Sequence, residues 1–92
     1  MFTRITHWTV SNLTEMELLL NEQEAKIKAI PGIQSCHVLW TGDGTGVTVA
    51  TYASEADANR AATEIQSVWD AIARIFTTPP KTKTYTLGRA LV

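Results

Sequence analysis

Cysteine is nearly absent: Cys36 is the one cysteine in 92 residues. No internal disulfide can staple the fold, and the expected compartment is a reducing cytoplasm. Excess charge is missing too. Eight basic against nine acidic residues leave a net charge of −1. That argues against nucleic acid as a partner, because such binding rests on clustered cations neutralising phosphates. No apolar run approaches the roughly 20 residues of a spanning helix, and no basic-then-apolar leader opens the chain, so no membrane partner is expected. Proline and glycine are few, three and five. They act as punctuation, at Pro31-Gly32, at Gly42 to Gly46 and at Pro79-Pro80. No linker, repeat or low-complexity tract divides the chain, so residues 1–92 are expected to form one domain with a modest core.

What is present is strongly patterned. From Ser54 to Phe76, Ala58, Ala61, Ile65, Val68, Ile72 and Ile75 recur at steps of three and four, the apolar stripe of an amphipathic helix. Ser54 can cap its start, with Asp57 three residues on, and Pro79-Pro80 bars its continuation. A second helix is expected after Asn12. Thr14 and Glu17 read as a capping box with Leu13 and Leu18 as its hydrophobic staple, and Leu13, Met16, Leu20, Ile27 and Ile30 mark one side. Pro31-Gly32 stops it.

The remaining segments read as strands. Phe2 to Val10 is rich in β-branched and aromatic residues, with Phe2, Arg4, Thr6, Trp8 and Val10 on one face. Ile33 to Thr41 and Val47 to Ala53 flank Gly42-Asp43-Gly44-Thr45-Gly46, which predicts a hairpin. Thr82 to Val92 is expected to close the chain as a fourth strand. The order β-α-β-β-α-β is the split βαβ pattern of ferredoxin-like α+β folds, with a four-stranded antiparallel sheet and both helices on one face. In the hairpin, Cys36, Val38 and Trp40 fall on one face and Ile33 and Leu39 on the other. Both faces therefore look covered. One helix layer covers one face, so a second copy of the chain is expected over the other.

Several chemistries can be set aside by spacing. The glycine-rich turn is followed by a strand, whereas a phosphate cradle needs a helix N-terminus. His7, His37 and Cys36 show no metal-ligand spacing, and adjacent strand residues point to opposite faces, so no metal site is expected. No Ser-His-Asp or Cys-His constellation can be assembled from spacing. RNA-recognition modules share this topology but stack bases on strand aromatics. With Gly46 laid on their third-strand glycine, Thr45, Val47 and Val49 stand where the basic and aromatic residues belong. The aromatic signal that remains is Trp8 and Trp40 on strands and Trp69 beside the helical stripe. Aromatics at helical spacing fit core packing, or else the wall of an apolar pocket between helices and sheet.

At Tyr52-Ala53-Ser54, where strand meets capped helix, the chain resembles the antibiotic-biosynthesis-monooxygenase-like (ABM-like) family of dimeric α+β barrels. The family has an aromatic-x-Ser junction there, the same βαββαβ order and a turn like Pro31-Gly32 before the second strand. The resemblance implies a homodimer whose two sheets face each other, and a pocket between each sheet and its own helices. The convergence of Trp8, Tyr52 and Trp69 beneath the helices, and the missing polar residues of the family, point to a binding protein. In it these three and Thr6 line the pocket around a small apolar or aromatic ligand, with no cofactor expected. Tyr52 takes the place of the pocket aromatic, and the first-strand Asn of several active members falls near Thr6. The helix His of the family's haem degraders falls around Ala61 to Thr63, where no ligand stands. The alternative implied by the family is a cofactor-independent monooxygenase acting on an electron-rich aromatic. Tyr52 and Thr6 would then orient the substrate and Trp8 would exclude water.

Overall fold

Strands and helices follow one another in the expected order. A computed structural model describes residues 1–92. It comprises β1 (Phe2–Thr9), α1 (Leu13–Lys28), β2 (Ile33–Trp40), β3 (Thr45–Tyr52), α2 (Glu55–Arg60), α3 (Ala62–Ile72) and β4 (Lys81–Tyr85), with a 3-10 turn at Ala73–Ile75. Every strand pairing is antiparallel and the sheet order is β2-β3-β1-β4. This is the ferredoxin-like α+β arrangement.

One face of the sheet is buried under the helices, and the alternation of β1 explains how. Phe2, Thr6 and Trp8 point inward and are buried, as their shared parity requires. The apolar part of this face is split in two. Phe2 joins Ile30, Tyr52, Ala58 and Ala61 in one cluster, while Trp8 joins Val10, Met16, Leu19, Ile72 and Ile75 in another. Arg4 and Thr6 stand between them on β1. Polar side chains at mid-strand keep the helices from sealing a dry core there.

Two glycines are set by close approach. Gly46 lies opposite Trp8, and a Cβ there would collide with the far edge of that indole and stand 2.7 Å from the Leu39 carbonyl oxygen. Gly44 has a φ of +89° at the hairpin turn, a backbone state that glycine enters without steric cost. Asp43 organises the same turn. Its Oδ1 accepts from the Thr41 and Thr45 hydroxyls and from the Thr45 amide at 3.0 Å.

The structure departs from the sequence expectations in local ways. The long helix is broken at Ala61, whose ψ of −6° unwinds one step from the usual helical value of about −42°. Hydrogen bonds still bridge the joint, from Ala61 N to Asp57 O and from Ile65 N to Ala61 O. The Ser54 cap is present, with its Oγ accepting from Asp57 N at 3.1 Å. The first helix is capped two residues before Thr14, at Asn12. Asn12 Oδ1 accepts from Glu15 N at 3.0 Å, leaving Leu18 exposed instead of stapled and burying Leu19. An irregularity between Ile33 and Ser35 inserts an extra step in β2. Ile33 therefore packs on the same helix-facing cluster as Cys36, not on the opposite face. β4 ends at Tyr85 rather than Val92, because Tyr85 already pairs with Thr3 and β1 has almost no strand left beyond it.

Leu39 is 54% exposed on the sheet face away from the helices. Its partner Val47 is in turn opposite His7, and Val49 is opposite Ile5. The chain alone leaves this apolar row uncovered. No helix is long and apolar enough to cross a membrane.

Candidate functional site

The polar interruption of the buried face opens a cleft of about 420 Å³ between the sheet and α3. Its floor carries Arg4 and Thr6 from β1, Tyr52 from β3 and Thr82 from β4, and its roof carries Gln66 and Trp69 from α3. A smaller hollow of about 250 Å³ shares Thr6, Trp69 and Thr82 and extends the cleft towards Phe76. A second depression of about 430 Å³ runs between α1 and the edge strand β2, lined by residues such as Leu20, Ile27, Ile33 and Val38. No aromatic side chain lines that second groove, so the first is the better candidate for a flat ligand.

Thr6, Tyr52 and Trp69 therefore meet at one cleft. Thr6 is 5% exposed, and its hydroxyl is hydrogen-bonded at 2.7 Å to that of Thr82, its cross-strand neighbour. Tyr52 is 1% exposed. Burial pushes its hydroxyl above the ordinary phenol range, with the Arg4 charge pulling it down and Cys36 adding to the rise. It is a neutral phenol at neutral pH. Trp69 is half-buried, with its ring 5.7 Å from that of Phe76. Trp8 is not part of the cleft lining. It sits one layer behind, its ring 6.2 Å from Phe76, and its indole N–H donates to Thr48 Oγ1 at 3.0 Å. Thr48 does reach the cleft, so Trp8 touches a lining residue without lining the cleft itself.

Sequence reasoning missed Arg4, Gln66 and Thr82. Arg4 was within reach of it, sharing β-strand parity with Thr6 and Trp8. Gln66 and Thr82 come from elements whose register is set only by packing. Cys36 borders both depressions, and burial raises its thiol pKa, which keeps it protonated and poorly nucleophilic. No three His, Cys, Asp or Glu side chains stand together as a metal-binding group.

No protein-family model matches the chain, and no curated protein matches its sequence. Solved structures do match. SnoaB, a cofactor-independent oxygenase from Streptomyces nogalater, aligns with a TM-score of 0.80 at 19% identity over 98% of this chain and 95% of its own. The monooxygenase from ActVA-Orf6 of Streptomyces coelicolor, in complex with nanaomycin D, aligns at 0.76 and 21% identity over 99% and 90%. This chain has the antibiotic biosynthesis monooxygenase fold. NE2512, a protein of unknown function from Nitrosomonas europaea, shares it at 0.79 and 16% identity over 99% and 92%. ABM-like structures thus include both oxygenases and a protein without an assigned activity, and at these identities the likeness is one of fold.

Proposed function

We propose that this protein is a homodimer that binds a small, flat aromatic molecule in the cleft between its sheet and α3. The observation that carries this reading is the cleft of about 420 Å³ with Tyr52 on its floor and Trp69 on its roof. That size falls within the range of roughly 300–1,000 Å³ typical of small-molecule sites. The half-buried Trp69 ring favours a planar ligand by stacking, with the almost fully buried Tyr52 beneath it, and threonine hydroxyls around them supply orientation. The second copy covers the face bearing Ile5, Leu39, Val47 and Val49, an apolar row that a lone chain leaves open to water. The unpaired Cys36 supports a cytoplasmic setting.

The binding test is an NMR titration with 2-naphthol. The Trp69 indole N–H and the methyl groups of Thr6 and Thr82 are expected to shift while Trp40 does not. Shifts confined to Leu20 and Val38 would move the site to the α1–β2 groove, and no shifts at all would refute the reading.

A second reading is favoured by the fold shared with SnoaB and ActVA-Orf6: oxygenation of an electron-rich dihydroxyarene. One oxygen atom of O₂ would end on the ring as the hydroxyl of a quinone and the other would leave as water, with all electrons drawn from the substrate. The protein's part would be orientation by Tyr52 and Thr6. Oxygen uptake with 1,4-dihydroxynaphthalene is expected to exceed the uncatalysed rate and to fall in Tyr52→Phe. Equal rates with and without protein would remove this reading while leaving binding intact.

A further inference from the structure

Resting on the aromatic-ligand reading above, we infer that the ligand is an aromatic anion whose charged oxygen is held by Arg4. Of the 14 residues lining the cleft, Arg4 is the one that carries a formal charge at neutral pH, and no Asp or Glu stands among them. The chain's ion pairs are Lys28–Glu24, Arg60–Asp57 and Arg74–Glu15. Arg4 belongs to none of them. Its cross-strand neighbours are Ala50 and Thr84, neither of which can neutralise a guanidinium. Arg4 is half-buried, so an opposite charge brought to it would be less screened than in bulk water.

The side chain is also held in place. The guanidinium carbon stands 5.6 Å from the centroid of the Phe2 ring, and Phe2 is itself buried at 6% exposure. A cation stacked on a fixed ring keeps its planar fork of donors oriented. The mid-strand position adds rigidity, since a site built on a strand is held more closely than one on a loop. A carboxylate or an acidic phenolate matches that fork and would supply the missing counter-charge. The aromatic body of the same molecule would then lie against Tyr52 and Trp69.

The test compares 2-naphthoate with 2-naphthamide, the same ring with and without the charge, by calorimetric titration of wild-type protein, Arg4→Gln and Arg4→Lys. Wild-type protein is expected to prefer the naphthoate by about tenfold or more, the factor that a hydrogen bond to a charged group is worth. Arg4→Gln should bring the two ligands within about twofold by weakening the naphthoate alone, and Arg4→Lys should keep part of the preference. Equal binding of both ligands by the wild type, or a preference that survives Arg4→Gln, would overturn the inference while the aromatic site stands. Failure of both ligands to bind the wild type would overturn the site reading and this inference together. Should Arg4→Gln not fold, the wild-type preference at low and high salt decides, since a charge-based preference must shrink as salt screens it.

Discussion

Leu39→Asp separates the dimer from a free-standing chain. In the isolated chain Leu39 is 54% exposed, so a carboxylate there remains hydrated and the substitution costs a monomer only about 1–2 kcal/mol, from the half of the side chain already buried and the poor strand propensity of Asp. In the proposed dimer that exposed half is buried against a second copy. Trimming Leu39 to Ala would remove three carbons at about 0.8 kcal/mol each. Scaled by the half that is exposed, this is about 1.2 kcal/mol per protomer and about 2.5 kcal/mol per dimer. Leu39→Ala should therefore raise the dimer Kd by about 50- to 100-fold. Leu39→Asp adds an unpaired buried charge in each copy, worth several kcal/mol, and should leave a folded monomer at micromolar concentration. Sedimentation velocity over a concentration series reads the association, and circular dichroism reads the fold. A Leu39→Asp protein that stays dimeric with the wild-type Kd would refute the assignment of this face to a partner.

Gly46→Ala drives a Cβ into Trp8 and against the Leu39 carbonyl oxygen, and overpacking of this kind costs about 1–3 kcal/mol. Its melting temperature should fall by several degrees. Gly42→Ala, with no atom within 4 Å of the new Cβ, is the matched control, and equal melting temperatures for the two would refute the close-approach argument. Asp43 tests the hairpin electrostatics. Hydrogen bonds from Thr41 and Thr45 lower its carboxyl pKa from 3.8 to about 2. A depressed acid stabilises the fold fully above its unfolded value and loses that contribution as pH falls through the folded one. The Thr45 amide resonance of the folded protein should therefore stay constant down to about pH 3 and be half-way through its change near pH 2; a midpoint near the ordinary 3.8 would contradict it.

Much of the architecture was legible before any coordinates. Ala58, Ala61, Val68, Ile72 and Ile75 are buried, as their helical spacing requires. Phe2, Thr6 and Trp8 share the inward face of β1 because its register runs without a bulge and parity is kept. Pro31-Gly32 and Gly42 to Gly44 mark turns as expected, whereas Gly46 lies inside β3, paired with Trp8 and Trp40. Each of these matches follows from local geometry and from the partition of apolar groups out of water, and both can be read from residue order.

The rest depended on contacts between residues distant in the chain. The extra step after Ile33 reversed the face of one apolar residue, since a single-residue slip in a strand exchanges its sides. β4 stopped at Tyr85 for want of a partner on β1, although its own residues favour a longer strand. The cap of α1 is different: Asn12 took it in place of Thr14, a choice that the higher rank of Asn among capping residues already favoured locally. The cleft did depend on distant contacts. Residue order could place polar Arg4 and Thr6 between Phe2 and Trp8, but their becoming the floor of a cavity required α3 to lie across them. Trp8 was carried behind Thr48 instead of into the cleft by the same packing. Periodicity assigns faces, while cavities form where the faces of separate elements fail to meet, and that mismatch exists only once the chain is folded.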